Sequence, residues 1–449
     1  MRSKQRIDYF VSFTGLALGL LCMAAGAHAD GLGDLLHQVE KRAPQLHAAS
    51  AQANASTAAV RVAKSQYWGH GEVFGQSTHY NSDRLVNPIA FPPTLSRALF
   101  DKNTYGFGAR YTLPVDIDGR IAARVHAQEH LSQAAHQSTA QTRLSLFAQT
   151  VALYRGLQRL EGVKQAHLAH LKALQGHQKV TATSVRVGRV AAVELLRIEA
   201  EIKSVVGLLA GLTGDEARLR ANLAALLNQQ RFSDSVAVPK SPPSALASDA
   251  SAAEQASDGL KNRPDLMAAQ SITRAENENL KGAKREWLPS LSVQAEALRN
   301  QGYTANGDNT WSVSGQMTWQ FWDGGRRFAN TDRARANREV AREQYQNTLN
   351  RARAELLSAK AAWQAASLQY QAATAGLKSA RATERIQSDR FENGRISAAD
   401  LVDAEAALAR ARADQTSALA DWWLADDQLY LARGEAPSAY RQEKTDAIQ

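Results

Sequence analysis

The chain has 449 residues, 44% hydrophobic but only 7% aromatic, with a single cysteine, Cys22. One thiol excludes a disulfide framework or a thiolate metal centre, and an alanine-rich, aromatic-poor chain favours long, closely packed helices over a thick globular core. The net charge of +9 is spread through interleaved basic and acidic residues with no dense basic run beside aromatics, which argues against nucleic acid as a partner.

Arg2, Lys4 and Arg6 precede an apolar run from about 10 to 25 and then Ala27-His28-Ala29, the layout of a secretory signal peptide over 1–29. Leu20-Leu21 before Cys22 lacks the small residue of a lipoprotein signal, so no lipid anchor is expected. No later stretch reaches about 18 consecutive apolar residues, and any membrane insertion therefore falls to β-strands.

A short helix is expected around Lys41-x-x-Pro44-x-Leu46-x-Ala48-Ala49, followed by a glycine-rich strand near 67–80 and a clearer one over 105–116. In the latter, Tyr105, Phe107, Tyr111, Leu113 and Val115 alternate with Gly106, Gly108, Arg110 and Thr112, which gives one apolar and one polar face. The loop between them, about 81–103, carries Pro88, Pro92 and Pro93 around Ile89, Phe91 and Leu95. Val115 to Val238 is then free of proline, leaving room for a helical hairpin. Its first arm, 120 to about 185, is roughly 95–100 Å long at about 1.5 Å per residue.

On that arm, His126, Glu129 and His130 formally fit an H-x-x-E-H zinc arrangement, but no third ligand or cleft is evident, and exposed histidines are expected. His167 and His170 are likewise expected to be solvated. No phosphate loop, nucleophile elbow or other catalytic constellation is present, so neither enzyme activity nor a metal or cofactor is expected. A Ser-, Ala- and Pro-rich segment, about 229–258, reads as a linker lying as an irregular belt across the helices.

The second half restates the first. Lys261-x-x-Pro264-x-Leu266-x-Ala268-Ala269 matches at an offset of 220; Gly119-Arg120 returns as Gly325-Arg326 and Val187-Gly188-Arg189-Val190 as Asn393-Gly394-Arg395-Ile396 at 206. Two copies of one unit follow. The 14-residue slip belongs to the longer strand connection of the first half. Trp287, Leu291, Val293, Ala295 and Ala297 oppose Ser290, Ser292, Gln294 and Glu296 on a third strand. Over 311–321, Trp311, Val313, Met317, Trp319 and Phe321 alternate with Ser312, Ser314, Gln316, Thr318 and Gln320. From 326 to about 391, Leu349, Leu356, Trp363, Tyr370 and Leu377 recur every seven residues with alanines between them, a coiled-coil seam. The first half repeats it less regularly, through Leu146, Leu153, Leu160 and Leu174, with His167 interrupting.

Four strands are too few for a sandwich to cover the apolar face, and too few to close a barrel in lipid, where unpaired edges are not tolerated. Several chains must share one barrel. The stripes alone fit a non-conducting periplasmic or surface coiled-coil scaffold equally well; the aromatic strand faces speak for a membrane barrel.

Signal peptide, short helix, two strands and long hairpin, then the series again, resembles the outer-membrane efflux protein family, the TolC-like channels, from about 35 to 434. The marks are the two Lys-x-x-Pro-x-Leu segments, the strand ends Leu113-Pro114-Val115-Asp116-Ile117-Asp118-Gly119-Arg120 and Phe321-Trp322-Asp323-Gly324-Gly325-Arg326, and the turns at Gly188 and Gly394. The resemblance implies a mainly α fold with a membrane β-barrel portion: coiled-coil hairpins plus four β-strands per chain in two structural repeats, assembled as a trimeric α/β-barrel channel. The first repeat would span 30–228 and the second 259–434, before a polar tail, 435–449.

It further implies a homotrimer in the outer membrane of a Gram-negative cell, reaching into the periplasm. This would be the exit duct of a tripartite efflux or type I secretion system, with a periplasmic adaptor and an inner-membrane pump or ABC exporter as partners. Gly188, Arg189, Gly394 and Arg395 would be the adaptor-docking tips. Asp400 and Asp403, six and nine residues past Gly394, and Glu194, six past Gly188, would form the acidic gate. The basic residue that often lies two past the second glycine is Ile396 here. Trp311, Val313, Met317, Trp319, Phe321, Tyr105, Phe107 and Tyr111 would face lipid.

Overall fold

The computed structural model describes residues 31–441 apart from 88, 90, 92–98, 244–259, 261 and 306. The expected signal peptide, the second half of the linker, the middle of the first strand connection and most of the polar tail lie outside the described residues. Chain order is α1 (Leu32–Arg42), α2 (Pro44–Ser65), a 3-10 turn at Gln66–Trp68, β1 (His70–Leu85), β2 (Phe100–Val115), α3 (Arg120–Arg186) and α4 (Ala192–Leu226). Then come α5 (Pro264–Arg285), β3 (Ser290–Gly302), β4 (Asp308–Thr318), α6 (Arg326–Glu392) and α7 (Ala398–Ala432). No described helix is long and apolar enough to cross a membrane.

The two series of helices agree in length: α2 and α5 have 22 residues each, α3 and α6 have 67, and α4 and α7 have 35. Proline starts both 22-residue helices at the first turn, where a missing N–H costs nothing. Gly119 and Gly325, at φ of 70° and 88°, turn the chain from strand into long helix. The carboxylates of Asp116 and Asp323 accept backbone N–H groups of those first turns, at 2.8–3.1 Å.

The helices form a wall of four columns. α2 packs on the sheet-proximal half of α3, with Lys64 paired to Glu129 at 2.7 Å. α4 packs on the distal half, with Lys164 paired to Glu216 at 3.0 Å. On its other side α3 meets α5, where Arg285 donates to the Gly119 carbonyl at 2.6 Å, and then α7. α6 closes the far side, on α5 and then α7. The seven-residue stripe of α6 does this work: Leu349, Leu356, Trp363, Ala352 and Ala359 pack together, and Trp363 donates to Asp426 at 3.0 Å.

In α3 the expected Leu146 and Leu174 are buried and Leu153 packs against the core, but the buried set is wider than one stripe. Leu146, Phe147, Val151, Tyr154 and Leu157 enter a core with Leu32, Leu35, Leu36 and Val39 of α1, Leu223 and Leu227 of the α4 end, and Phe232 and Tyr440. α3 has neighbours on two sides, so a single heptad stripe cannot describe it. Tyr440 anchors the chain end by donating to Glu40 at 2.6 Å, and burial together with that carboxylate pushes its phenol up to about 12. The described part of the linker is held along the helices: Gln158 donates to the Ala237 carbonyl and Trp423 to that of Ser241, at 2.8 and 3.0 Å.

The strands make one antiparallel sheet in the order β1-β2-β3-β4. The hairpin registers coincide: His70 pairs with Thr112 and Ser290 with Thr318, Val73 with Ala109 and Val293 with Gly315. The strand bounds differ from the expected ones. The first strand starts after the 3-10 turn and runs to Leu85, and the second starts at Phe100. The loop expected over 81–103 thus shrinks to 86–99. β4 ends at Thr318 rather than 321, because β3 begins at Ser290 and offers the following residues no partner.

Candidate functional site

The sheet has two chemically opposite faces. Register places Val73, Ala109, Ala297 and Trp311 in one row, and Tyr111, Ala295 and Val313 in the next. Leu113 and Val293, then Val115, Leu291 and Met317, continue the same face, with Tyr105 and Phe107 toward its other end. All of the candidate strand residues within β2 and β4 therefore share one face, and Trp311, Val313 and Met317 are 81%, 65% and 69% exposed. Trp319 and Phe321 lie past the end of β4, also exposed; the Trp319 indole donates to the Trp287 carbonyl at 3.2 Å.

The other face carries Glu72, Gln76, Arg110, Thr112, Gln294, Glu296, Ser312, Ser314 and Gln316. Arg110 is its centre, paired with Glu72 of β1 and Glu296 of β3, each at 2.8 Å. Alternation placed Arg110, Thr112, Gln294, Glu296, Ser312, Ser314 and Gln316 on the polar face, but gave no face to Glu72 and Gln76 of the glycine-rich first strand. That they meet required the register, which no sequence signal supplies. Both outer strands, β1 and β4, keep a free edge along this sheet.

At the far end of the helices, Gly188 and Gly394 take φ of 75° and 68° with nothing within 4 Å of an added Cβ, so backbone conformation, not space, calls for glycine. Each closes a Schellman turn: Arg189 N–H donates to Ser184 O and Arg395 N–H to Arg390 O, at 2.9 and 2.8 Å. Arg189 and Arg395 are both exposed. Glu194 and Asp400 occupy the third position of α4 and α7. Asp400 has a local task that sequence reasoning missed. With Ser397 it forms a capping box: its carboxylate accepts from the Ser397 backbone N–H at 3.2 Å while its own N–H donates to the Ser397 hydroxyl at 3.3 Å. The Ser397-x-x-Asp400 spacing was the available signal. Asp403 is exposed, and Glu194 is half-buried with Oε2 lacking a hydrogen-bond partner among the described residues.

His167 and His170 contradict the expectation of solvated side chains. They turn into the packing of α3 against α4 and α7, and His170 is only 3% exposed. Burial holds both imidazoles below the usual range, aided by Arg410 and, for His170, opposed by Glu201 and Glu405. Nearby, His177 lies 3.3 Å from Glu405, and burial together with Glu405 pushes the Glu384 carboxyl up. Glu129 of the H-x-x-E-H stretch is taken by Lys64. No group of three or more His, Cys, Asp or Glu among the described residues is arranged to hold a metal.

The sheet, with its apolar-aromatic face, stands at one end of helices roughly 100 Å long. The chain matches the outer membrane efflux protein family over residues 35–229 and 256–435, and belongs to that family. It is similar to the outer membrane protein OprJ of Pseudomonas aeruginosa, 27% identical over 139 residues, a stretch amounting to 30% of this chain and 29% of OprJ. The chain thus spans under a third of that relative's length. Among solved structures, CusC superposes with a TM-score of 0.76 at 18% identity, covering 91% of this chain and 93% of CusC. VceC of Vibrio cholerae superposes at 0.74 and 19% identity, covering 90% and 96%. These likenesses show the fold.

Proposed function

We propose that the protein is a passive exit duct across the outer membrane of a Gram-negative cell, acting in a tripartite efflux or type I secretion system. The observation that carries this reading is the four-stranded sheet whose apolar-aromatic face leaves Tyr105, Phe107, Tyr111, Trp311, Val313 and Met317 exposed, and whose outer strands have an edge that no other described strand pairs. In lipid an edge must be paired, and three copies give twelve strands, a number that closes a barrel. Tyr105, Phe107, Tyr111, Trp311, Val313, Met317, Trp319 and Phe321 then meet hydrocarbon and the interface, and the polar face lines a water-filled lumen.

The two series of elements act as repeats, six around the ring. On that symmetry the β2–β3 junction inside a chain recurs as a β4–β1 junction between copies. Applying the two offsets to the Leu113–Val293 pair sets Trp319 against Val73 of the next copy. This gives 319–321 the partner that a single chain lacks. The helical columns continue the lumen as a tube into the periplasm, where Gly188, Arg189, Gly394 and Arg395 form tips for a periplasmic adaptor linked to an inner-membrane pump or ABC exporter. Energy and cargo selection belong to that pump.

Asp400, Asp403 and Glu194, brought together from three copies at the narrow end, form an acidic gate that repels itself and attracts cations. The capping bond leaves Asp400 exposed while fixing the start of α7. A non-conducting scaffold would use the helical stripes but has no use for the aromatic strand face.

The test is purification from outer membranes and single-channel recording in planar bilayers, wild type against Asp400→Asn/Asp403→Asn. Cation-selective steps that become larger or less selective in the variant support duct and gate. Steps unmoved by the variant discard the gate, and silence from an intact oligomer refutes the duct.

A further inference from the structure

We infer that Glu72, Arg110 and Glu296 form a second charge filter, inside the barrel, independent of the helix tips. The inference rests on the exit-duct reading. Arg110 Nη1 meets Glu72 Oε1 and its Nε meets Glu296 Oε2, both at 2.8 Å, so one guanidinium ties together three neighbouring strands. Its far side is fixed as well, since the guanidinium lies 4.7 Å from the centre of the Phe74 ring. Gln294 steadies Glu296 with a hydrogen bond of 3.1 Å. All five side chains project from the polar face, and Gly71, Tyr111, Ala295 and Val313 occupy the opposite face at the adjoining position.

The ladder departs from the internal symmetry of the chain. At the same offsets and in the same register, the Glu72–Arg110 pair becomes Ser292–Gln316, and the counterpart of Glu296 is Gln76. A group needed only to hold strands together would serve both hairpins alike; the second hairpin does without it. The charged pairs lie on the β1–β2 and β2–β3 junctions, and at the same level Glu296 faces Ser312 across the β3–β4 junction.

Each copy contributes two carboxylates and one guanidinium, a net charge of −1, and three copies make a ring of fixed negative charge. Glu72 is the open end of the ladder, 45% exposed at its side chain against 19% for Glu296, so it is the carboxylate that permeating ions meet. The tips lie a helix length away, roughly 100 Å, far beyond the screening length of about 10 Å in 0.1 M salt. The two acidic rings therefore act in series without sensing each other. Cationic cargo is enriched at the exit as well as at the entrance, and anionic cargo is disfavoured twice.

The experiment measures reversal potentials in planar bilayers under a KCl gradient, in an Asp400→Asn/Asp403→Asn background so that the tips do not dominate. Glu72→Gln/Glu296→Gln turns the ring positive and should lower the cation-to-anion permeability ratio by roughly three-fold in dilute salt. Arg110→Gln should raise it. Where the double variant does not assemble, Glu72→Gln alone, on the exposed outer strand, must shift the potential in the same direction. Conducting variants with the parent's reversal potential overturn the filter and leave the duct standing; a parent oligomer that passes no current overturns both.

Discussion

Removing the Asp427 carboxylate should destabilise the helical wall more than any other single charge change outside the sheet. Arg155 and Asp427 meet at 2.8 Å between α3 and α7, with side chains only 1% and 0% exposed, so solvent does not screen the pair. Breaking a buried pair from one side costs about 3–5 kcal/mol, because the surviving charge stays desolvated. Arg155 keeps Gln158 at 2.8 Å and the Trp423 ring at 5.0 Å, which places Asp427→Ala near the lower end, about 3 kcal/mol. Replacing both, as Arg155→Met/Asp427→Leu, removes the desolvation cost with the attraction and should return stability to within about 1 kcal/mol of wild type. Denaturant titration of the helical circular dichroism signal in detergent, run as a double-mutant cycle, gives all four values. Asp427→Ala within about 0.5 kcal/mol of wild type, or a double variant that loses the sum of the singles, would refute the reasoning.

Gly162→Ala would drive a Cβ into Thr416 Cγ2, so α3 and α7 must part locally; a loss of about 1–3 kcal/mol is expected, partly restored by Thr416→Ala. Ser397→Ala removes the capping box and should raise amide exchange over the first turn of α7 about five-fold, for roughly 1 kcal/mol. His170 is held neutral by burial, with a folded value below its ordinary one, so its stabilising contribution is full above the ordinary value and is lost as pH falls through the folded value. His167 titrates in the same sense beside Arg410. Hydrogen exchange around 165–180 should therefore quicken on acidification from about pH 7 to 5, and less so in His170→Gln. Val313→Arg puts a cation on the apolar sheet face at a cost of about 2–4 kcal/mol per copy near the bilayer centre. Outer-membrane assembly should collapse, whereas a scaffold's yield would be unchanged.

Helices were legible because their punctuation is local. Gly-Arg after a strand, proline at the first helical position and glycine at a left-handed turn need no knowledge of the rest of the chain, and the observed long helices end within a residue or so of those marks. Strand faces were legible for the same reason, since alternation is local. Strand ends were not: the alternation of 311–321 runs on past Thr318, but a strand lasts only as far as its partner. Residues buried by crossings were also hidden. Arg155, His170 and Gly162 sit in an ordinary-looking polar helix, and only the presence of columns on two sides of α3 turns them inward. The Glu72–Arg110–Glu296 ladder needed register across three strands, which pairs residues as much as 186 positions apart.

Barrel closure by neighbouring copies is most directly tested with Val73→Cys/Trp319→Cys in one chain, whose only native cysteine is Cys22. Within a copy Val73 lies in the row of Trp311, three strands across the sheet, and Trp319 lies past the end of β4, so the two are more than about 14 Å apart at about 4.8 Å per strand, too far for a disulfide. Oxidation of intact outer membranes should yield covalent dimers and trimers on a denaturing gel, stopping at three. A chain that stays monomeric although its oligomer is recovered, or a ladder that continues past three, would contradict the shared barrel as described.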